Sequence, residues 1–303
     1  MFIAIGYVII DDIVLPDGTT HMGCLGGGSV HAVMGMRVWS AEVGLVAKIG
    51  YDFPSDLDED LKNLFDLRGV SRLDKKTMRA WQLFEPDGTR RETFKTDPAD
   101  FHFFNPSLEE IPVAYDHLRG VHLHCSSDEV SLWVERLRDL GDPFILWEPL
   151  QVECLAEKRA DFMRMLPLVD CISPNLQEAQ SLLEMTAPPH DLLDEFIRNG
   201  AGMAVIREGA SGSVFANSDG IYIRVPAVQV ERIIDQTGAG NAYCGGLVVG
   251  SVLSDDPHIA LCRAAVSASF ALEQFGALFP VENLEEKAKT RYDLCMSAMQ
   301  LLN

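Results

Sequence analysis

No C-x-x-C pair occurs among the seven cysteines, which are scattered at Cys24, Cys125, Cys154, Cys171, Cys244, Cys262 and Cys295. An odd, unpaired set argues against a disulfide framework or a zinc site and fits free thiols in a reducing compartment. Long hydrophobic runs are missing too: none approaches the roughly 20 apolar residues that a membrane-crossing helix needs. The opening "MFIAIGYVIIDD" has no basic segment and runs into two aspartates, so it reads as a first buried strand and not as a secretion signal. A cytoplasmic protein is the expectation. Positive charge is scarce, 25 Lys and Arg against 45 Asp and Glu, for a formal net charge of −20. A field of that sign repels nucleic acid and anionic membranes, and neither is expected as a partner. A phosphorylated small ligand stays open, because a few backbone N–H groups bind phosphate locally. The chain also lacks internal repeats, low-complexity segments and Pro/Ser-rich linkers. With 303 residues, 47% apolar and 23% charged, one soluble domain over 1–303 is the default.

What is present divides into two patterns. From about residue 117, short apolar runs alternate with helical spacing. "VHLHC" (121–125), "PFILW" (143–147), "VDCIS" (169–173) and "MAVI" (203–206) read as strands. "DEVSLWVERLRDLG", "AEKRADFMRML" and "NLQEAQSLLEM" read as helices, the last with Asn175 as N-cap. This alternation predicts an α/β fold with a mostly parallel sheet covered on both faces. The first third differs: Pro-Asp-Gly-Thr recurs at 16–19 and 86–89, each between apolar or alternating flanks. Two hairpins are expected there, forming a small β-sheet that projects as a lid from about 11–25 and 77–104. Its apolar residues Ile13, Val14, Trp81 and Leu83 offer a face for a homodimer. Between the hairpins, "SDLDEDLKNLFDLRG" predicts an amphipathic helix with Ser55 as N-cap, Leu57, Leu61, Leu64 and Phe65 on one face, and Gly69 beyond its end.

The segment with most chemical content is "IDQTGAGNAYCGG" (234–246), a glycine-rich turn entering a small-residue helix. Gly238 and Gly240 can take backbone angles closed to other residues, so successive N–H groups can point into one cavity. The helix beginning near Asn241 adds its positive dipole end, which favours an anion. A tight strand-to-helix turn with no ligand is the simpler alternative. Gly245, Gly246 and Gly250 imply close packing of that helix against another element. There is no G-x-x-x-x-G-K-[ST], and no G-x-G-x-x-G follows the first strand. A P-loop is therefore excluded, and a nicotinamide-dependent oxidoreductase has little support.

Several motifs, in order along nearly the whole chain, resemble the PfkB/ribokinase family of small-molecule kinases. Asp235–Asn241 is similar to its D-T-T-G-A-G-D signature, and Gly6-x4-Asp11 resembles its first strand. "GGGSVHA" (26–32) resembles the G-G-x-x-x-N-x-A substrate loop, and "GLVAKIGYDFP" (44–54) the G-x-V-G-x-D segment. "TMRAWQLFEPDGTRRETF" looks like the lid strand pair, Asn175 to Glu178 the N-x-x-E motif, and "IREGASGSVF" (206–215) the T-L-G-x-x-G-S stretch. This resemblance implies a ribokinase-like three-layer fold and an ATP-dependent phosphotransferase acting on an alcohol group of a sugar, nucleoside or related polyol. Asp11, Gly26, Gly27 and His31 would meet the acceptor, and Gly238, Ala239 and Gly240 would form the anion hole. Asn175, Arg207, Gly209 and Gly212 would lie on the nucleotide side. Glu178 would help place Mg2+ indirectly, and Asp235 and Thr237 would hold a monovalent cation such as K+.

The departures are as informative. Where the family has its general base, the last Asp of the signature, this chain has Asn241. An amide takes no proton in the neutral pH range, and loss of a general base costs about 10²–10⁴ in rate. His31 stands in place of the family's asparagine, Gln236 in place of a threonine, and "WEP" (147–149) in place of D-P-N. The WEP segment together with the Asn is similar to a fungal branch, the maintenance-of-killer proteins. His31 and Glu148 are the two side chains that could supply a base; a hydrogen-bonding and a structural or cation-linked role, respectively, are the simpler readings. A pseudokinase that binds nucleotide or sugar as a sensor or partner-binding protein is the competing function. His122 and His124, with Cys125 adjacent, are a conceivable metal set without an identifiable third ligand.

Overall fold

Strands that are apolar on both faces need a helical layer on each side. The computed structural model describes residues 1–86 and 90–300, and in it the strands sort into two sheets. In chain order they are β1 (Phe2–Ile5), β2 (Ile9–Val14), β3 (Thr20–Gly26), β4 (Val43–Gly50), β5 (Asp66–Leu73), β6 (Arg79–Phe84) and β7 (Arg90–Phe94), then β8 (Gly120–Leu123), β9 (Phe144–Trp147), β10 (Cys171–Ile172), β11 (Met203–Arg207), β12 (Ser213–Asn217) and β13 (Tyr222–Val225). The large sheet runs β13-β12-β11-β10-β9-β8-β1-β4-β5, parallel throughout except for the antiparallel β11-β12-β13 edge.

The helices are α1 (Gly28–Arg37), α2 (Ser55–Leu64), α3 (Phe101–Phe104), α4 (Ser127–Arg138), α5 (Arg159–Met165), α6 (Leu176–Leu183), α7 (Pro189–Arg198), α8 (Ala239–Leu253), α9 (Pro257–Ala271) and α10 (Leu284–Gln300). Buried residues of α1, α8 and α9 share one core with the sheet face that carries Ala4, Leu45 and Leu146. Those of α4 to α7 share the opposite core with Ile3, Ile5 and Ile145. Neighbouring strand residues thus face different cores, and the expected three layers result. No helix among the described residues is long and apolar enough to cross a membrane.

The small sheet, ordered β3-β2-β6-β7, is two antiparallel hairpins joined by parallel pairing of β2 with β6. Residues 87–89 of the second Pro-Asp-Gly-Thr turn lie outside the described residues. Register decides which side chains face inward. Asp11 sits opposite Ala80, and Ile13 opposite Gln82, on one face; Asp12 and Trp81 pair on the other. Ile13 is only 1% exposed. It is therefore not part of a dimer face, contrary to its expected place with Val14, Trp81 and Leu83. Lys95 lies over the Trp81 ring at 3.8 Å and pairs with Asp12, which leaves that face partly charged.

Other expectations shift at boundaries. The single opening strand is two strands in different sheets, with Asp11 on β2. Pro54, not Ser55, holds the N-cap position of α2, and Gly69 lies inside β5, where an added Cβ would meet Leu45 O at 2.7 Å. β8 ends at Leu123, so His124 follows the strand. "VDCIS" shortens to two strand residues, and the α5 segment starts as a 3-10 turn at Ala156–Lys158.

The glycines of α8 act as the sequence implies. A Cβ at Gly245 would overlap the Ala32 carbonyl of α1, one at Gly246 would overlap Ser267 of α9, and one at Gly250 would stand 2.7 Å from Ala260 Cα. Ala at an open helix position stabilises relative to Gly by roughly 0.5–1 kcal/mol. Here Gly245→Ala is expected to reverse that sign and cost about 1–3 kcal/mol through overpacking. Thermal unfolding checks this: a raised Tm would contradict the close approach of α1 and α8.

Candidate active site

The site lies at the carboxyl ends of the parallel strands, where open α/β sheets bind ligands. A cavity of about 520 Å³ at the opposite ends, lined by Met1, Val43 and Tyr115 among others, is remote from it. Gly238 is the N-cap of α8 with φ of 74°, a left-handed conformation that favours glycine. An added Cβ there would also overlap the His31 ring, and one at Gly240 would overlap the Arg207 guanidinium. The loop is thus flanked by an imidazole from α1 and a guanidinium from the end of β11. Ala239 N donates to the Gln236 carbonyl at 3.4 Å, and the following N–H groups at the start of α8 are of the kind that bind anions.

His31 is 2% exposed, and neither ring nitrogen has a hydrogen-bond partner. Burial, aided by the Arg90 charge, lowers its pKa to about 4. The ring is neutral at pH 7 and a weak base.

Asn241 does not stand free. Its Nδ2 donates to Glu148 Oε2 at 2.9 Å. The same oxygen is 2.7 Å from His122 Nε2, and Oε1 pairs with Arg207 Nη1 at 2.7 Å. Burial alone would push the Glu148 carboxyl up, but Arg207 and His122 hold it well below the usual carboxylate range. A carboxylate stabilised in its charged form in this way is a weak base near pH 7. His124 Nδ1 meets the Glu148 carbonyl at 3.0 Å, and burial lowers the His124 pKa. His122, Glu148 and Cys244 bring one ligand atom each within 4.8 Å of one another. That set suits a metal poorly, because Arg207 already supplies the cation on Glu148 and burial raises the Cys244 thiol. Cys125, the expected neighbour ligand, belongs to the apolar core under α4.

Asn175 and Glu178 form a reciprocal cap on α6: Asn175 N donates to Glu178 Oε2 at 2.7 Å, and Glu178 N to Asn175 Oδ1 at 2.8 Å. Glu178 Oε2 lies 3.7 Å from Arg207 Nη2, and burial raises its pKa. Asn175 also bridges to Arg207 through the backbone. Gly209 opens to free space, whereas Gly212 packs so tightly on Val225 that a Cβ would overlap its carbonyl. Asp235 Oδ1 accepts from Thr237 N at 2.8 Å. Asp235 Oδ2 and Thr237 Oγ1 are buried with no partner, the donor set that a monovalent cation would satisfy.

In the small sheet, Asp11 Oδ1 accepts from Gln82 Nε2 at 2.9 Å, and Gln82 also bonds Glu92 and Arg90. Burial pushes the Asp11 carboxyl up to about 7; the Gln82 hydrogen bond opposes this and Glu92 adds to it. Three consecutive glycines link this aspartate to Asn241. A Cβ on Gly26 would overlap the Asp11 carboxylate, Gly27 takes φ of 98° against the Tyr7–Ile9 backbone, and a Cβ on Gly28 would stand 3.0 Å from Asn241 Nδ2. The fold therefore joins Asp11, Gly26, Gly27, His31, Gly238–Gly240, Asn241 and Arg207 in one chain of close neighbours. Gly28, Gln82 and the His122 link to Glu148 are the members that sequence reasoning missed. A polar residue at an inward register position of β6 was the available signal for Gln82.

The raised Asp11 pKa carries a sign. The folded state binds this proton more tightly than the unfolded state, so its stabilising effect is complete below about pH 4 and lost as pH rises through about 7. Asp11→Asn removes that loss. Its Tm relative to wild type should rise between about pH 5 and about pH 8, and a constant difference would contradict the burial of an ionisable Asp11.

Comparison with known proteins identifies the family and supports the fold. The model of the pfkB family of carbohydrate kinases matches residues 4–284. The cytidine kinase of Thermococcus kodakarensis is 28% identical, over 82% of this chain and 87% of that protein. Protein MAK32 of Saccharomyces cerevisiae is 24% identical over 89% and 84%. Among solved structures, an E. coli protein described as ribokinase II, in complex with ATP and Mg2+, superposes with a TM-score of 0.76 at 19% identity, covering 95% of this chain and 99% of that one. With the family match spanning nearly the full chain and the fold in agreement, the protein belongs to the PfkB family of carbohydrate kinases.

Proposed function

We propose that the protein transfers the γ-phosphoryl group of ATP to an alcohol group of a nucleoside, sugar or related polyol. The observation that carries this reading is the glycine run at 26–28, which places the Asp11 carboxylate at one end and the Asn241 amide at the other. An acceptor lying along that run would have one hydroxyl bound by Asp11 and another presented to the loop at Gly238–Gly240. The N–H groups of that loop would receive the transferring phosphoryl, with Arg207 beside Gly240 adding positive charge. The similarity to a cytidine kinase favours a nucleoside acceptor. Asn175 and Glu178, locked together beside Arg207, fit an indirect role toward Mg2+, and Asp235 with Thr237 fits K+. Mg2+ supplies charge neutralisation across the β- and γ-phosphates in such sites. The free cysteines fit a cytoplasmic location.

Asn241 would accept a hydrogen bond without removing a proton, and the neutral His31 ring would act as a hydrogen-bonding group. Phosphoryl transfer passes through a loose transition state, so positioning and the anion hole retain much of the acceleration. A second reading, a protein that binds nucleotide or sugar without turnover, is favoured by Asn241 alone. Incubation with ATP, Mg2+ and a panel of nucleosides and sugars separates the two. The expected result is phosphorylated product from one acceptor class, at a rate about 10²–10⁴ below an enzyme with an intact base. Asp11→Ala should then lower kcat/KM for that acceptor about tenfold to hundredfold and leave the KM for ATP unchanged. Acceptor binding without product supports the second reading.

A further inference from the structure

Residue 241 is where the reading above places the acceptor hydroxyl, and its orientation is set from behind. Asn241 Nδ2 meets Glu148 Oε2 at 2.9 Å, and an ionised carboxylate, with no proton to give, takes only the NH2 end of an amide. The planar side chain is thereby fixed with Oδ1 pointing away from Glu148. Glu148 is 3% exposed whereas Asn241 is half-buried, so the oxygen end lies on the more open side. His122 and Arg207, each 2.7 Å from a Glu148 oxygen, keep the carboxylate from swinging away.

Resting on the phosphotransferase reading, we propose that Glu148 is the positioning residue of this site. It turns Asn241 Oδ1 toward the acceptor hydroxyl, and Asn241 and Glu148 form a coupled pair of which neither member is replaceable alone. A carboxylate at 241 would place an oxygen where Nδ2 now lies, 2.9 Å from Glu148 Oε2. Two carboxylates that close share a proton instead of both ionising. Asn241→Asp therefore does not restore a family-type base while Glu148 remains. The groups facing Glu148 are His122 from β8, His124 beside its carbonyl, Arg207 from β11 with Glu178 behind it, His31 from α1 and Cys244 from α8.

The test is a cycle of wild type, Asn241→Asp, Glu148→Gln and the double variant, with two readouts. The first needs no turnover. Between about pH 5 and about pH 8, Asn241→Asp should lose Tm relative to wild type, because the shared proton is held more tightly in the folded than in the unfolded state and its contribution vanishes as pH passes the raised pKa. The double variant should lack that slope, because the amide introduced at position 148 can donate to the carboxylate introduced at position 241. An Asn241→Asp protein whose Tm tracks wild type throughout this range overturns the pairing, and this comparison decides even where Glu148→Gln fails to fold. The second readout is phosphotransfer. Glu148→Gln should lower kcat about tenfold or more with the KM for ATP within about twofold, because the Asn241 amide then binds either way round. The double variant should exceed Asn241→Asp in kcat/KM near pH 8. Independent, multiplicative effects of the two substitutions overturn the positioning role. Absence of turnover in every form counts against the phosphotransferase reading alone, and the thermal slopes then decide the pairing by themselves.

Discussion

The site depends on one buried ion pair, Glu148 with Arg207. Both side chains are nearly removed from water, and a charge left alone there would be costly; removing one partner of such a pair costs about 3–5 kcal/mol. Paired, they tie the end of β9 to the end of β11 and leave the second Glu148 oxygen for His122 on β8 and Asn241 on α8. Arg207 is held in turn against Gly240 and donates to the Ser173 carbonyl at 2.9 Å. Four elements of the large sheet and its first covering layer thus meet on one carboxylate. The "WEP" segment, in place of the family's D-P-N, is what puts that carboxylate there.

Around this pair, space is made by omission. At Gly26, Gly28, Gly238 and Gly240 the volume a methyl group would fill is taken by a functional side chain from elsewhere: Asp11, Asn241 with His124, His31 and Arg207, respectively. Backbone and side chain approach more closely than a Cβ would permit. This brings the backbone of two loops and the side chains around them closer together than other residues would allow. The glycine-rich character of both loops is therefore steric as much as conformational, and of Gly26–Gly28 and Gly238–Gly240 only Gly27 and Gly238 take a positive φ.

Local signals were legible where they are self-contained. The N-cap at Asn175 and the small face of α8 with its glycines both occur as read, while the return bond from Asn175 N to Glu178 that closes the cap is added by the structure. The alternation after residue 117 likewise gave the parallel order, because a strand buried on both faces has few other homes. What was not legible depends on which strand lies beside which. Ile13 turned inward because β2 pairs with β6 in one particular register, while its pairing with β3 is irregular between Asp11 and Ile13. Gly69 looks like a helix stop in sequence, yet it is needed in β5 for close approach to Leu45. His122 read as a possible metal ligand since its partner, Glu148, comes from the next strand and no spacing rule connects them.

Under the proposed phosphotransfer, the loop would act by placement and not by proton transfer. Glu148 is kept charged by Arg207 and His122, and His31 is kept neutral by burial, so neither changes state near pH 7. Asn241 has no proton to gain. Asp11, which would meet the acceptor under the proposed function, is the carboxyl whose pKa burial brings to about 7. A response of this site to pH through Asp11 would then act on how firmly the acceptor is held, since a charged carboxylate accepts hydroxyl hydrogen bonds more strongly than a protonated one. Such a division suits a loose transition state, in which the attacking oxygen needs alignment more than early deprotonation.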